Sequence, residues 1–224
     1  MIKADNITRV FKNGQNELWA LKGISFEVKE GEYLVITGRS GSGKSTLLYQ
    51  LGLLDYPTDG DVYIAGVPTG NLDSETRTRV RLESLGYVFQ DYAILPSLTA
   101  LENVMVPLLM QGKSEEFAKQ KAEIALGKVG LGDRMDHTPA KLSGGQQQRV
   151  AIARALAHEP KIIFADEPTA NLDSETAESV LDVFGDLHKS GQTIIMVTHE
   201  EEYAKRADRV ITLSDGEIVE DKKV

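Results

Sequence analysis

Three short apolar runs constrain the fold of this chain more than any other feature. They read YLVITG at residues 33–38, KIIFADE at 161–167 and TIIMVTHE at 193–200. Each run is continuously apolar rather than alternating, which is typical of central strands covered on both faces. Longer stretches of helical character separate the runs, so the sequence predicts a parallel sheet with crossover helices. Ligands of such sheets bind beyond the carboxyl ends of the strands, so the polar residues that end the runs are candidates for one site.

The segments around these strands carry local signals of their own. The tail RVITLSDGEIVED predicts a hairpin that turns at Asp215. Residues 91–142 predict a mainly helical insert, in which Thr99 and Glu102 have the spacing of a capping box. A second helical pattern in this insert runs through Phe117, Ile124 and Val129. We therefore expect one domain, residues 1–224, with an α/β core at 1–90 and 143–224 and a helical subdomain inserted at 91–142.

Composition excludes several classes of function. The 224 residues include no cysteine, so disulfides, thiolate catalysis and cysteine metal sites are excluded. A net charge of -9 argues against nucleic acid as a partner. The first residues lack the apolar region of a signal peptide, and the apolar run VMVPLLM is far too short to cross a bilayer. We expect a cytoplasmic chain that reaches a membrane only through a partner.

The strongest chemical signal is GRSGSGKST, which follows the first apolar run and precedes a helix-like segment. It matches G-x-x-x-x-G-K-[ST] in full, and this context disfavours a glycine-rich turn that binds nothing. Glycines let backbone N–H groups close around phosphate oxygens, and the following helix presents its positive end. In this pattern Lys44 reaches the β- and γ-phosphates and the Ser45 hydroxyl binds Mg²⁺. The predicted phosphate-binding residues are Gly38, Arg39, Ser40, Gly41, Ser42, Gly43, Lys44, Ser45 and Thr46.

Phosphoryl transfer also needs a metal anchor and a group that orients or deprotonates water. At the end of IIFADE, Asp166 is placed to hold Mg²⁺ through water, and Glu167 to act as the general base. His199, after IIMVT, is a candidate to contact the γ-phosphate or hold the attacking water. Gln90, after GYVF, is a candidate to sense the metal or the water. Taken alone, the two acids would be a solvated strand end, and the phosphate loop upstream reverses that interpretation. A lone histidine is usually structural, and the strand-end position of His199 favours a function. For Gln90, an ordinary exposed glutamine stays an alternative.

A second glycine motif, LSGGQQQR at residues 142–149, leads into a helix-like segment. Ser143 is a candidate N-cap, and the bare backbone of the two glycines leaves N–H groups open to an anion. We therefore predict a second phosphate-binding site. Its residues are Ser143, Gly144, Gly145 and Gln146.

The motifs GRSGSGKST, FQ, LSGGQ, IIFADE, NLD and TH occur in the order and at the intervals of the ATP-binding-cassette ATPases. The chain resembles that family over essentially its whole length. The resemblance implies an α/β fold: a P-loop (RecA-like), mostly parallel sheet core with an antiparallel β subdomain and a helical subdomain insert. It also implies ATP and Mg²⁺, and a homodimer that sandwiches two ATP molecules, each between the phosphate loop of one subunit and the Ser143 motif of the other.

The resemblance further implies that Phe11 stacks on adenine. The family more often has tyrosine at this position, so stacking is retained and any hydroxyl contact is lost. The alternative for Phe11 is simple core packing.

A narrower resemblance is carried by FQDYAILPSLTALENVMVPLLM and GQTIIMVTH. These stretches look like the stand-alone ATPases of lipoprotein release, macrolide-type efflux, peptide-resistance export and cell-division permease complexes. This implies a separate transmembrane permease that docks at the helical insert beside Gln90, and a place on the cytoplasmic face of the membrane. A chromosome-maintenance ATPase is disfavoured because a long coiled coil should separate its motifs. An ATPase that signals through a permease without transport stays open.

The hexapeptide NLDSET occurs twice, at residues 71–76 and 171–176. In both copies a capping residue precedes a helix-like segment with a glutamate in its first turn. Only the second copy follows Glu167 closely, and it resembles the family's dimer-contact loop. We predict one capping solution used twice and a single functional site, which includes Asp173.

Overall fold

The computed structural model describes residues 1–14 and 16–224. Its strands are β1 (Ile2–Asn13), β2 (Asn16–Val28), β3 (Tyr33–Thr37), β4 (Asp59–Ile64), β5 (Val67–Pro68), β6 (Leu85–Val88), β7 (Ile162–Asp166), β8 (Thr193–Val197), β9 (Arg209–Ser214) and β10 (Glu217–Lys223). Its helices are α1 (Lys44–Leu51), α2 (Ser74–Ser84), α3 (Ala100–Met110), α4 (Glu115–Lys128), α5 (Gly144–Leu156), α6 (Ser174–Lys189) and α7 (Glu201–Ala204). The chain divides into two compact units. Unit 1 comprises Met1–Arg79 and Gly191–Val224, and unit 2 comprises Val80–Ser190.

Unit 1 contains a buried parallel sheet built on the first apolar run. β3 pairs in parallel with β8 and with β9, and β10 continues antiparallel to β9. Every residue of β3 and of β8 is buried, as predicted for strands covered on both faces. The predicted tail hairpin is confirmed. Its turn residues, Asp215 and Gly216, have φ of 50° and 80°, as the favoured two-residue hairpin turn requires.

Unit 1 also contains an antiparallel sheet with strand order β2-β1-β4-β5. The pairing of β1 with β2 slips by one residue, because Arg9 opposes Leu21 whereas Val10 opposes Trp19. Ala20 is the extra residue, and such a bulge bends the strand and re-aims its backbone. The Ala20 carbonyl consequently points at Gly43, in the loop that follows β3.

In unit 2, β6 and β7 form a parallel pair against which α5 packs. Every residue of β7 is buried, again as predicted. Gly86 allows the helix to approach, since a Cβ at this position would lie 2.5 Å from the Ala155 carbonyl oxygen on α5. Tyr87 stacks on Phe164 of β7 with ring centroids 5.6 Å apart.

The stretch between β6 and α5 contains α3 and α4. The capping box at the start of α3 is confirmed, because the Thr99 hydroxyl accepts from the Glu102 N–H and the Glu102 carboxylate accepts from the Thr99 N–H. α4 forms where its pattern predicts. Val129 on that pattern is buried, but Phe117 and Ile124 are 39% and 50% exposed. Its buried face consists of Ala118, Ala122, Ala125 and Leu126. Short side chains let α4 pack close to its neighbours, which outweighs the greater hydrophobicity of phenylalanine and isoleucine.

The predicted α/β fold with parallel and antiparallel sheets is confirmed. Within residues 1–14 and 16–224, no helix has the length and apolar character needed to cross a membrane.

Candidate functional site

The loop between β3 and α1 encloses an ammonium group. Lys44 is the first residue of α1 and only 5% exposed. Its Nζ donates to the carbonyl oxygens of Gly38 and Arg39, at 2.9 and 3.0 Å. The loop backbone therefore wraps the charge and holds it at the N-terminus of α1. A buried cation beside a helix N-terminus is a strong anion-binding arrangement.

At two positions of this loop only glycine fits, because the backbones of β2 and β9 come too close to leave room for a Cβ atom. Gly43 has φ of 101°, and a Cβ there would lie 2.5 Å from the carbonyl oxygen of Ala20, the bulged residue of β2. Gly38 has φ of 144°, and a Cβ there would collide with the Leu213 carbonyl oxygen of β9 and lie 2.7 Å from Ser42 Oγ. The bulge in β2 and the strand β9 thus fix the shape of the loop, so any side chain at these two positions would distort it.

The Ser42 hydroxyl gives this loop an unsatisfied polar group. Ser42 is 5% exposed, and its Oγ has no hydrogen-bond partner among the described residues. Buried hydroxyls are normally partnered, so an unpartnered one in a functional loop calls for an explanation. This oxygen is fully buried and lies 2.7 Å from the position that a Cβ on Gly38 would take, so it faces the inside of the loop.

Unit 1 also carries His199 and Phe11. Thr198, which precedes His199, donates its N–H to Ile36 O at 3.1 Å, so His199 follows β8 at the sheet edge where the phosphate loop begins. The His199 imidazole is half exposed, and its Nε2 lies 3.4 Å from Glu200 Oε1. Phe11 lies on β1 with 43% of its surface exposed, so it is not a core residue as the packing alternative required.

In unit 2, the acidic pair ends β7. Asp166 is the last residue of the strand and is 7% exposed. Glu167 has φ of 43°, a left-handed backbone conformation that residues other than glycine seldom adopt. Such strain persists where the surroundings impose it, and it concentrates at functional sites. Here the buried amide of Gln148 contributes, since its Nε2 donates to Pro168 O at 2.7 Å.

The three consecutive glutamines of LSGGQQQR make different hydrogen bonds. Gln146 completes a capping box with Ser143, whose Oγ accepts from the Gln146 N–H at 3.3 Å. Gln147 donates to the carbonyl oxygens of Pro139 and Leu142. Gln148 holds Pro168, next to Glu167. The predicted N-cap is confirmed. The role of Gln148 was missed, because nothing in a run of identical residues shows which one turns inward.

The two glycines of this motif allow tight packing at the start of α5. A Cβ on Gly145 would collide with the Thr176 methyl group, in the first turn of α6. A Cβ on Gly144 would lie 2.9 Å from the Tyr92 hydroxyl. The start of α5 is therefore packed against the second NLDSET copy and the loop that follows Gln90.

The loop after Gln90 is held by a cation that the sequence did not single out. Gln90 follows β6 at the same sheet edge as Asp166, because Val88 opposes Ala165 in the parallel pair. Tyr92 and Ala93 have φ of 59° and 50°. The Arg154 guanidinium on α5 donates to their carbonyl oxygens at 3.1 and 2.5 Å. Burial lowers the pKa of this guanidinium.

Both NLDSET copies begin helices with the same cap. Asp73 Oδ1 accepts from the Thr76 N–H at 2.7 Å, and Asp173 Oδ1 from the Thr176 N–H at 3.0 Å. These backbone hydrogen bonds hold the pKa of each carboxyl below its usual value. The prediction of one capping solution used twice is confirmed by these bonds.

The residues predicted to hold Mg²⁺ are Ser45, Gln90 and Asp166. All are oxygen donors, which is the ligand type that Mg²⁺ prefers. The described parts of the chain contain no group of three or more histidine, cysteine or acidic side chains able to hold a metal.

The candidate residues fall into two sets, one in each unit. Unit 1 carries Phe11, the loop of residues 38–46 and His199, and unit 2 carries Gln90, residues 143–146, Asp166, Glu167 and Asp173. The glycine-rich loop between a buried parallel strand and a helix, with its enclosed lysine, defines a P-loop nucleotide-binding protein.

Comparison with known proteins narrows this class. The family model described as ABC transporter matches residues 21–170. Over 219 residues the chain is 48% identical to the lipoprotein-releasing system ATP-binding protein LolD of Aquifex aeolicus, covering 98% of this chain and 96% of LolD. Over 221 residues it is 45% identical to the macrolide export ATP-binding/permease protein MacB of Hyphomonas neptunium, covering 99% of this chain and 34% of MacB.

A solved structure is similar over the whole chain. It is the dimeric, post-hydrolysis state of the ATP-binding cassette MJ0796 of Methanocaldococcus jannaschii, bound to ADP and Pi. The TM-score is 0.92 at 44% identity, and the match covers 100% of this chain and 98% of that one. The chain belongs to the ABC transporter family. The expected enzyme class, an ATP hydrolase of this family, is thereby confirmed, while the roles of individual residues stay predictions.

Proposed function

We propose that this chain is the ATP-hydrolysing subunit of a membrane transporter complex. The observation that carries the proposal is the loop before α1. It combines the buried Lys44 ammonium at the N-terminus of α1 with a backbone that only glycine fits at Gly38 and Gly43. These groups suit the β- and γ-phosphates of ATP.

In the proposed hydrolysis, the phosphate loop and the strand-end residues have separate roles. Lys44 and the N-terminus of α1 hold the phosphates and stabilise charge as it develops on the β–γ bridging oxygen. Glu167 accepts a proton from water as the water oxygen bonds to the γ-phosphorus. The bond from that phosphorus to the bridging oxygen breaks, which leaves ADP and phosphate. His199 and Gln90 orient the water.

Ser45 and Gln90, with Asp166 acting through water, would hold Mg²⁺, which would neutralise phosphate charge when bound. The left-handed backbone of Glu167, fixed by Gln148, sets the direction of its carboxylate.

The proposed active form is a homodimer in which Ser143, Gly144, Gly145 and Gln146 of one subunit complete the ATP site of the other. The dimeric MJ0796 cassette bound to ADP and Pi supports this arrangement. Asp173 then lies at the contact between subunits. ATP binding joins the subunits and hydrolysis releases them, which converts chemistry into motion of a partner.

The proposed partner is a transmembrane permease, with an export or extrusion role of the lipoprotein or macrolide kind. The similarity to LolD, and to MacB, an ATP-binding/permease protein, supports this. The chain would then work at the cytoplasmic face of a membrane, and its membrane contact would come through the permease alone.

The proposal is tested by measuring Mg-dependent ATP hydrolysis by the purified chain. Lys44→Ala should abolish turnover and nucleotide binding, whereas Lys119→Ala, which removes an exposed lysine of α4, should leave both unchanged. Because Lys44 is buried, circular dichroism must show that the variant is folded, and Lys44→Met serves as a second variant of similar volume. Wild-type protein without ATPase activity would refute the proposal.

A further inference from the structure

Phe11 has a cation on one face of its ring. The Arg9 guanidinium carbon lies 4.6 Å from the Phe11 ring centroid. Two residues apart on β1, the two side chains lie on the same side of the strand. A guanidinium over an aromatic ring is held by the ring quadrupole and by stacking of the two planar groups.

Asp55 fixes this guanidinium in place. Arg9 Nη2 lies 3.0 and 2.9 Å from the two carboxylate oxygens of Asp55, and the two side chains are only 23% and 32% exposed. The Tyr56 N–H also donates to Asp55 Oδ1, at 2.8 Å. A partly buried pair that shares further hydrogen bonds is ordered in a way that a solvated surface pair is not.

The same carboxylate is bonded to the phosphate-binding helix. Gln50, on α1 and fully buried, donates its Nε2 to Asp55 Oδ2 at 2.9 Å. Asp55 therefore joins α1, which begins at Lys44, to the Arg9–Phe11 pair on β1. Contacts between the side chains of Phe11, Arg9, Asp55 and Gln50 therefore connect the Phe11 ring to α1, the helix that begins at Lys44.

We infer that Arg9 is a positioning residue for the nucleobase of ATP, which acts by backing the Phe11 ring and fixing its orientation. The base stacks on the ring face opposite Arg9. By bonding both Arg9 and Gln50, Asp55 fixes the position of the Phe11 ring relative to the helix that follows the phosphate loop. The inference rests on the proposed function, since it assumes that Phe11 meets the adenine.

Binding of Mg-ADP, measured by titration calorimetry, tests the inference without hydrolysis. Arg9→Ala should weaken ADP binding by about three- to tenfold, the range expected for loss of a partly buried cation–π contact. Lys12→Ala is the matched control, because Lys12 is the next cation on β1 and pairs with Glu17 at 3.1 Å instead of contacting Phe11. It should leave ADP affinity unchanged. In steady-state assays Arg9→Ala should raise KM for ATP and leave kcat unchanged.

A double-mutant cycle separates a role through Phe11 from a general attraction of phosphate. In a Phe11→Ala background, Arg9→Ala should cause no further loss of ADP affinity. Tripolyphosphate, which has no base, should bind wild type and Arg9→Ala equally. Arg9→Lys, which keeps the charge beside Asp55 but not the planar group, should be intermediate, and it replaces Arg9→Ala if that variant does not fold.

Any of several results would overturn the inference. One is an equal loss of ADP affinity from Arg9→Ala with and without Phe11, and another is weaker binding of tripolyphosphate by Arg9→Ala. Tighter binding of ADP by Arg9→Ala would mean that Arg9 covers the ring face that the base needs. Failure of the wild-type chain to bind ADP would instead refute the proposed function. Wild-type binding with an unaffected Arg9→Ala variant would refute this inference alone.

Discussion

The side-chain amide of Asn171 donates a hydrogen bond to the backbone carbonyl of Gln90 at 3.1 Å, across 81 residues of sequence. The same Nδ2 lies 3.4 Å from Asp91 Oδ1. Asn71, its counterpart in the first NLDSET copy, is exposed, and within residues 1–14 and 16–224 its side chain has no hydrogen bond. The two hexapeptides therefore share a cap and differ in what their asparagines bind.

Replacing the two asparagines makes a matched pair. Asn171→Ala should lower ATP turnover several-fold, because the loop carrying Gln90 loses one of its anchors. Asn71→Ala should leave turnover at the wild-type value. ATPase rates of the purified variants provide the measurement, and similar rates for both variants would contradict the role of the Asn171 bond.

Glu167→Gln should bind Mg-ATP and turn it over about 10²- to 10⁴-fold more slowly, because the general base is lost. Since bound ATP is then not consumed, the homodimer should accumulate in size-exclusion chromatography with ATP. Glu116→Gln, an exposed acid in the first turn of α4, is the control and should behave as wild type. Normal hydrolysis by a monomeric Glu167→Gln protein would remove Glu167 from its proposed role.

A mixture of two inactive variants tests whether ATP is shared between subunits. Ser143→Arg protein and Lys44→Ala protein should each lack activity, since each homodimer has both sites blocked. A mixed dimer has one site with both defects and one with neither, so part of the ATPase activity should return on mixing. Mixed dimers that form and stay inactive would place the whole site within one chain.

Much of the fold could be predicted because its signals are local. A central strand needs a continuous apolar run, and the phosphate loop needs glycines and a lysine at fixed spacing, so β3, β7, β8 and the loop before α1 were all visible in the sequence. Caps are equally local, as Thr99 and Ser143 show.

The contacts that hold the site are between residues far apart in the sequence. Arg9 meets Asp55 across 46 residues, and Arg154 meets Ala93 across 61. A sequence does not show whether an arginine is solvated or bonded to a carboxylate or a carbonyl oxygen, so neither contact could be predicted. The buried face of α4 was missed for a different reason, because close helix packing selected alanines over the larger Phe117 and Ile124.

His158 should make stability depend on pH. Its Nε2 lies 3.1 Å from Leu85 O, its Nδ1 is buried with no partner in the described residues, and burial lowers its pKa below the ordinary 6.5. Because the unfolded chain binds this proton more readily, stability should fall as pH drops below about 6.5, until the pH passes the folded pKa. His158→Gln should flatten this part of a melting-temperature profile between pH 8 and 5. An unchanged slope in the variant would show that His158 is not the source.

The two capping aspartates separate stability from function. Asp73→Ala and Asp173→Ala should each lower the melting temperature by a similar amount, about 2–4 °C, since each removes a helix cap. Because hydrogen bonds lower the pKa of both carboxyls, each cap stabilises the protein at pH values above the ordinary carboxyl pKa. That stabilisation is lost as pH falls through the pKa of the carboxyl in the folded protein.

Only Asp173→Ala should also reduce ATPase activity per folded molecule, because the second hexapeptide packs against Gly145 and holds the loop after Gln90. Melting curves and ATPase rates for both variants decide the matter, and equal losses of activity would mean that the two copies do not differ in function.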